Sequence, residues 1–110
     1  MNRQNVRRYA NLNKNLDLQL AKKIVQAMAK ELDVDLVELL SESRYRPVCN
    51  ARHAAAWLMR SKTKLSLSEI ALVLRRTYHT TVINSLAVVD RHLVAYWPHF
   101  AKVCNSLKIK

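Results

Sequence analysis

The sequence contains no glycine, and its 110 residues include only two prolines, Pro47 and Pro98. Because glycine normally supplies positive-φ turns and the loops that cradle phosphate groups, its absence argues against a P-loop, a dinucleotide-binding loop and a fold of tight β-hairpins. Long apolar runs are also missing, since no stretch approaches the ~18 residues that a membrane span requires. These absences favour an all-α domain.

Cysteine is too scarce for a disulfide framework or a zinc cluster, because Cys49 and Cys104 lie far apart in the sequence. Cys49 and His53 have the i, i+4 spacing of two metal ligands on a helix, but a structural site normally needs four ligands. Glu69 is the one acid near the hydroxyl and imidazole groups of residues 66–80, and helix capping accounts for it. We therefore expect no metal, no cofactor and no enzyme activity, in a cytoplasmic protein.

Acidic residues are few, since 8 Asp and Glu stand against 19 Lys and Arg, which gives a net charge of +11 and an isoelectric point of about 10.2. Between residues 43 and 89 the single acid is Glu69. This excess predicts a polyanionic partner. Its uneven placement predicts one electropositive face, which a phosphate backbone requires. We expect double-stranded DNA as the partner, rather than a membrane or a small-molecule substrate.

The length suits one domain, because globular domains run to about 100–150 residues. We place this domain at residues 16–110, after a disordered basic arm at residues 1–15. Apolar residues spaced three and four apart predict a first helix of about 15 residues that starts at Leu16. A short helix capped by Asp35 follows it.

Pro47 suits the first turn of a third helix. Its alanine run at residues 54–56 favours helix and lets another helix approach closely. Arg52 and Arg60 are expected to point away from the core. The predicted core positions of this helix are Val48, Ala51, Ala55, Leu58 and Met59.

An S-x-x-E capping box at Ser66–Glu69 opens a short fourth helix. A polar break at residues 75–78 follows, and Thr77 is the predicted N-cap of a longer fifth helix. Pro98 is expected to stop the chain or to restart it as a small C-terminal helix. The sequence therefore predicts an all-α fold of five to six helices, and the fourth and fifth helices have the outline of a helix-turn-helix.

In a helix-turn-helix, the first turn of the second helix meets base edges in the major groove of DNA. That turn would be Tyr78–Thr81 here. Thr80 and Thr81 offer hydroxyl and methyl groups, and His79 can donate a hydrogen bond. Helix pairs that only pack against each other share this outline. The pattern alone therefore does not distinguish a DNA-binding helix-turn-helix from two packed helices.

Two segments, LSLSEIA at Leu65–Ala71 and YHTTV at Tyr78–Val82, resemble the C-terminal DNA-binding domain of the bacterial replication initiator DnaA, in which S-x-x-E-I-G precedes R-D-H-T-T-V. Val34–Leu40 and Arg44–Arg52 resemble its short V-x-x-L-L helix and its basic loop. The similarity covers roughly residues 20–95 without gaps, and the chain has no counterpart of the family's ATPase domain. It implies the Trp-repressor-like helix-turn-helix fold of that domain.

The resemblance also implies roles for particular residues. Arg44 matches an arginine that reads A·T-rich minor grooves. His79 and Thr80 match residues that reach bases or phosphates in the major groove. Phosphate-backbone positions are matched by Arg52, Arg60, Ser68 and Thr81. Together with the neighbouring residues, the predicted DNA-binding set is Arg44, Arg46, Arg52, Arg60, Ser68, Arg75, Arg76, Tyr78, His79, Thr80 and Thr81.

The chain departs from the family pattern at the turn. Thr77-Tyr78 stands where the family has R-D, and the family aspartate accepts a hydrogen bond from a cytosine amino group, which places reading of the standard DnaA site in doubt. Arg75-Arg76 replaces a glycine turn, so this turn needs either a strained positive φ or a different geometry.

The function that these observations predict is sequence-specific binding of double-stranded DNA by a monomer, which regulates replication initiation or transcription. A bacterial or phage-encoded protein of the nucleoid, acting beside a replication protein, fits this prediction. The alternative is a protein-interaction module that kept the DnaA-like fold and lost base-specific reading. RNA binding ranks lower, because the chain is only 6% aromatic and has no predicted sheet.

Overall fold

The structure, a computed structural model, describes the backbone of residues 3–109 and the side chains of residues 14–109. Over these residues the chain forms six α-helices and no strand, which confirms the predicted all-α fold of five to six helices. The helices are α1 (Arg3–Glu31), α2 (Leu36–Leu39), α3 (Arg46–Lys62), α4 (Leu67–Val73), α5 (Thr80–Arg91) and α6 (Leu93–Leu107).

Helix α3 lies at the centre of the fold and packs against all five other helices. Its three consecutive alanines, Ala54–Ala56, are fully buried, so neighbouring backbones approach it on more than one side. The core positions predicted for this helix are buried as well: Val48, Ala51, Ala55, Leu58 and Met59. Helices α1 and α5 make no contact with each other in the described part of the chain, which puts them on different sides of α3.

Helix α1 begins at Arg3, ahead of the predicted start at Leu16, and so includes residues 3–15 that were expected to be disordered. No proline or glycine interrupts this stretch. Once a helix exists, each added residue gains a backbone hydrogen bond without a new nucleation cost. The side chains of residues 1–13 lie outside the described residues, and the division of the chain into an arm and a domain at residue 15 stays a prediction.

The predicted helix starts at Asp35 and Ser66 are confirmed. Asp35 Oδ1 accepts a hydrogen bond from the Val37 amide at 2.9 Å. The Ser66 hydroxyl accepts from the Glu69 amide at 3.1 Å, while Glu69 Oε1 accepts from the Ser66 amide at 2.9 Å. This reciprocal pair satisfies two amides that the helix itself cannot satisfy. It fixes where α4 begins, at the entrance to the helix-turn-helix.

The prediction that Thr77 caps the fifth helix is wrong, because α5 begins at Thr80 with His79 at the N-cap position. The Tyr78 carbonyl accepts from both the amide and the hydroxyl of Thr81, at 3.3 and 2.8 Å. The helix therefore starts two residues later than the sequence pattern indicated. Tyr78 and His79 lie just ahead of the helix rather than inside its first turn.

The prediction that Pro98 stops or restarts the chain is also wrong, since Pro98 lies inside α6. The break between the last two helices is at His92, where φ is −130° and ψ is 31°. Leu93 is therefore the first residue of α6 rather than part of α5. Pro98 has no N–H to bond to the Val94 carbonyl and its ring crowds that carbonyl, yet α6 continues on both sides of it. The exposed side chain of Val94 places that residue at the solvent surface.

Three helices end without glycine on a residue with positive φ, which is 55° at Asp33, 57° at Arg75 and 57° at Lys108. After α4, the Arg75 amide donates to the Leu72 carbonyl at 3.0 Å and the next amide donates to the Ala71 carbonyl at 2.7 Å. These are the two bonds of a Schellman motif. The sequence predicts either a strained positive φ or a different geometry for the Arg75-Arg76 turn, and the structure has the positive φ, at Arg75.

Replacing Asp33 by glycine is expected to stabilise the fold, because a residue with a Cβ pays about 1 kcal/mol in the left-handed conformation. Asp33 is exposed and ends α1 on the side of α3 that is away from α5. The thermal midpoint of Asp33→Gly should rise by about 4–8 °C. Asp33→Ala is the matched control, because it keeps the Cβ and should show no gain. An unchanged or lower midpoint for Asp33→Gly would contradict the prediction.

Candidate nucleic-acid interface

A groove of about 680 Å³ lies where the loop before α3, the helix α3 itself, the turn after α4 and the start of α5 meet. It is lined by five of the predicted DNA-binding residues, namely Arg44, Arg52, Arg76, Thr80 and Thr81. The remaining lining residues are Glu42, Ser43, His53, Asn84 and Ser85. The fold thus brings residues that are up to 43 positions apart into one cationic groove.

The Arg52 side chain holds the loop that carries Arg44. Its Nε donates to the Leu39 carbonyl at 2.9 Å, and its Nη2 donates to the Ser41 and Ser43 carbonyls at 2.9 and 3.3 Å. The Ser43 carbonyl belongs to the peptide bond that joins Ser43 to Arg44. The planar guanidinium fork therefore fixes the backbone on the N-terminal side of Arg44.

The prediction that Arg52 points away from the core is wrong, because its side chain is buried and only 8% of the residue is exposed. The carbonyls of the loop explain this burial, since they satisfy a charged group that could not otherwise leave water. Burial lowers the pKa of Arg52, and repulsion from Arg76 lowers it further. No side chain among residues 14–109 forms an ion pair with it.

Arg76 reaches the same loop from the helix-turn-helix. Its Nη2 donates to the Ser41 carbonyl at 2.6 Å, so this one carbonyl accepts from both Arg76 and Arg52. The turn after α4 and the centre of α3 are thereby joined through the loop. No carboxylate among the described side chains forms an ion pair with either guanidinium, so the groove keeps a net positive charge, which suits an anionic ligand.

Serine side chains shape the rest of the loop. The Ser41 hydroxyl accepts from the Ser43 amide at 3.1 Å, and the Ser43 hydroxyl accepts from the Tyr45 amide at 3.2 Å. Such local bonds replace a backbone ladder in a segment without regular structure. Arg44 projects from this loop with an exposed side chain.

The start of α5 presents its polar residues to solvent. His79, Thr80 and Thr81 are exposed, and Tyr78 keeps 69% of its surface exposed. The first amides of a helix have no acceptor within that helix and point outward at a partially positive end. This end of α5 can therefore take phosphate oxygens or base edges.

His53 and Ser85 join α3 to α5 below the groove, with Nδ1 and Oγ 2.7 Å apart. Burial lowers the pKa of His53, and the nearby Arg52 charge lowers it further. His53 is therefore neutral at neutral pH, where its role is to pair with a buried serine. Cys49, the other residue of the i, i+4 metal pattern, has its sulfur 3.8 Å from Arg52 Nη1 instead.

Six predicted DNA-binding residues do not line this groove, and two of them, Tyr78 and His79, lie exposed just ahead of α5. Arg46 lines a different groove with Asn50 and α6 residues, and Arg75 lines one between α1, α2 and α4. Arg60 is exposed and donates to the Leu65 carbonyl at 3.3 Å, and Ser68 is exposed in the first turn of α4. The structure therefore does not gather the whole predicted set into one place.

Five groove residues were missed in the sequence: Glu42, Ser43, His53, Asn84 and Ser85. Helical periodicity could have found Asn84, because it follows Thr80 and Thr81 by four and three positions on one face of α5. No sequence signal pairs His53 with Ser85 across 32 positions.

No group of three or more potential metal ligands occurs among the described residues.

None of the helices in the described part of the chain combines the length and the apolar character needed to cross a bilayer.

The profile of the family described as bacterial dnaA protein helix-turn-helix matches residues 21–89, which include α2 to α4 and most of α1 and α5. This chain belongs to the bacterial DnaA helix-turn-helix family. The match confirms the resemblance seen in the LSLSEIA and YHTTV segments.

Curated DnaA proteins are similar over the same part of the chain. The chromosomal replication initiator protein DnaA of Oleidesulfovibrio alaskensis is 34% identical over 86 residues, which cover 78% of this chain and 18% of that protein. The DnaA of Aquifex aeolicus is 33% identical over 92 residues, covering 74% and 23%. This DnaA-family chain thus spans about a fifth of the length of these relatives.

A solved crystal structure of a DNA replication initiation factor shares the fold. It has a TM-score of 0.71 and 29% identity, over 86% of this chain and 32% of that chain. The predicted DnaA C-terminal fold is thereby confirmed.

The DnaA-type helix α4 has a pH-sensitive support. Lys14 Nζ lies 2.6 Å from Glu69 Oε2, which ties α1 to the capping box. The hydrogen bond from Lys14 lowers the pKa of Glu69, and the Ser66 amide contributes in the same direction. Ionised Glu69 therefore stabilises the fold above its ordinary pKa, and this stabilisation is lost as pH falls through the lowered pKa.

Replacing Glu69 by glutamine should reduce the acid sensitivity of folding while keeping the capping box, because glutamine also serves at this position. The measurement is the thermal midpoint from about pH 7 to about pH 3, which should fall less for Glu69→Gln than for the wild type. Glu38→Gln, an exposed glutamate on α2, is the control and should follow the wild type. Parallel curves for Glu69→Gln and the wild type would refute this role of the carboxylate.

Proposed function

We propose that this chain binds double-stranded DNA through the groove formed by the Arg44 loop, α3 and the start of α5. The observation that carries the proposal is the convergence of Arg44, Arg76 and the exposed Thr80–Thr81 turn on one side of the molecule. Membership of a helix-turn-helix family supports it. The charge supports it too, since three arginines in the groove face one acid, Glu42.

In the proposed complex, α5 lies in the major groove and the Arg44 loop follows the adjacent minor groove. His79, Thr80 and Tyr78 are placed to meet base edges, and Thr81 to meet a phosphate. Arg76 keeps part of its surface exposed and contributes charge beside the backbone. Arg60, Arg46, Arg75 and Ser68 would add phosphate contacts at the edges of the interface.

We further propose that binding is sequence-specific and regulates replication initiation or transcription. The relatives named chromosomal replication initiator protein DnaA favour replication. The groove is asymmetric, with a loop at one end and a helix start at the other, which suits one asymmetric site per monomer. A bacterial or phage-encoded protein that acts in the cytoplasm on the nucleoid, beside a replication protein, fits this role.

Titration against duplex DNA at several salt concentrations tests the proposal. With four to six phosphate contacts, the logarithm of the association constant should fall with the logarithm of the salt concentration at a slope of about −4 to −5. Arg44→Ala and His79→Ala should each weaken binding to the preferred duplex by about tenfold, as expected for the loss of a base contact.

The matched control is Lys23→Ala, which removes one charge from the exposed face of α1, on the side of α3 away from α5. It should leave affinity for the preferred duplex within about twofold of the wild type, because screening weakens charges beyond about 10 Å. If Arg44→Ala and His79→Ala behave like this control, the proposed groove does not bind DNA.

Base preference at Tyr78 can be tested separately. Aspartate accepts a hydrogen bond from the cytosine amino group, whereas tyrosine offers a ring and a hydroxyl in place of a carboxylate. Selection from a random duplex library should therefore recover sites for Tyr78→Asp that contain a cytosine preference missing from the wild-type sites. Tyr78→Phe is the control and should select sites close to those of the wild type. Identical preferences for Tyr78→Asp and the wild type would show that this residue does not read bases.

The second candidate is a protein-interaction module that kept the fold and lost base-specific reading. The exposed apolar side chains of α6 favour it, because Val94 is 90% exposed and Trp97 is 57% exposed. Library selection separates the two candidates, since an interaction module would enrich no DNA motif.

A further inference from the structure

We propose that Arg52 and Arg76 act as positioning residues that hold Arg44 at the minor groove, so that Arg52 contributes to DNA recognition through Arg44 rather than as an independent phosphate contact. This inference rests on the proposed function, because it assigns a role within the same groove. It separates the arginines that touch DNA from those that shape the loop that touches DNA.

The contacts of Arg52 are directed inward. Three loop carbonyls, those of Leu39, Ser41 and Ser43, accept from its Nε and Nη2. The remaining nitrogen, Nη1, lies 3.8 Å from the Cys49 sulfur. With 8% of the residue exposed, little of the guanidinium is open to a phosphate oxygen. Arg44 is different, because it is exposed and lines the same groove.

The loop needs such support because its own hydrogen bonds are short-range. Apart from a long bond of 3.8 Å from the Cys49 thiol to the Ser43 carbonyl, they join Ser41 to Ser43 and Ser43 to Tyr45, which ties the loop to neither α3 nor α5. The carbonyl bonds from Arg52 supply that tie from α3, and the 2.6 Å bond from Arg76 to the Ser41 carbonyl supplies it from the helix-turn-helix. A loop fixed at both points presents Arg44 with less ordering cost on binding.

Lysine cannot replace this arrangement. An ammonium group keeps the charge but lacks the planar fork that reaches three carbonyls at once. Arg52→Lys therefore separates position from charge. An independent phosphate contact would tolerate lysine, whereas a positioning role would not.

The test is a double-mutant cycle on the duplex that the wild type selects. Arg52→Lys should lower affinity by at least about tenfold, the scale of a lost hydrogen bond to a charged group. In the Arg44→Ala background the same change should lower affinity by less than about threefold, because the residue that it positions is gone. Arg91→Lys, an exposed arginine at the end of α5, is the matched control and should change affinity in neither background.

Amide hydrogen exchange in the unbound protein supplies a readout that does not need DNA. Arg52→Lys should speed exchange at Ser43, Arg44 and Tyr45, while amides in the centre of α3 keep their protection. Should Arg52→Lys fail to fold, Arg76→Lys replaces it in the test. Arg76 is only half-buried, and its replacement removes only the bond to the Ser41 carbonyl.

Equal losses of affinity in the two backgrounds would overturn the inference, and so would unchanged exchange in the loop. If the wild type binds no duplex, the proposed function fails, and the exchange experiment alone then decides the positioning role: faster loop exchange supports it and unchanged exchange refutes it.

Discussion

A single buried guanidinium organises the candidate interface. Arg52 is the one charged residue that is buried among the described side chains, and its compensation comes from backbone carbonyls rather than from a carboxylate. A buried charge without partners costs several kcal/mol, so the three carbonyls and the guanidinium must keep their mutual positions. The end of α2 and the loop up to Ser43 are therefore held against α3 at Arg52, and this fixes where the segment with Arg44 begins. The arrangement of the groove depends on this constraint.

The absence of glycine constrains the helix ends in addition. Without glycine, the ends of α1, α4 and α6 use Asp33, Arg75 and Lys108 in the left-handed conformation. At the end of α4 this has a second consequence, because the strained turn carries arginines at the two positions that follow Leu74. Arg75 and Arg76 leave the turn toward different grooves. A glycine turn would hold the same geometry with less strain but would place no cation beside the loop.

The fold was largely predictable because its signals are local. Helical periodicity, the Asp35 and Ser66 caps and the alanine run each act within a few residues, and the structure confirms all of them. Boundaries were predicted less well where local rules compete, as at Thr77, whose capping preference is outweighed by the bonds that Thr81 makes to the Tyr78 carbonyl. At Pro98 the local rule is overridden, because proline disfavours a helix interior but α6 continues through it.

Predicting the site was harder because contacts between distant segments decide it. The residue types at Arg44 and His79–Thr81 pointed to DNA chemistry, and the fold places Arg44, Thr80 and Thr81 along one groove. Arg52 was assigned to the surface because arginine is almost never fully buried unless it is paired. Its partners are carbonyls, which every sequence position possesses, so no residue type marks them. For the same reason the bond from Arg76 to Ser41, across 35 positions, has no signature in the sequence.

Because the Ser41 carbonyl accepts from both Arg52 and Arg76, hydrogen bonds connect the two ends of the proposed interface through one loop. In the proposed complex, these bonds set the separation between the loop with Arg44 and the start of α5 with Thr80. Two DNA contacts at a fixed separation, one in the minor and one in the major groove, select for the spacing between two groups of bases as well as for the bases themselves. A duplex in which one group of bases is displaced makes only one of the two contacts and gains little affinity. A monomer with this geometry can read a single asymmetric site without a second subunit. Under the proposed function, the residue at position 78 affects which bases are preferred within that register, and the buried guanidinium of Arg52 sets the spacing of the two contacts.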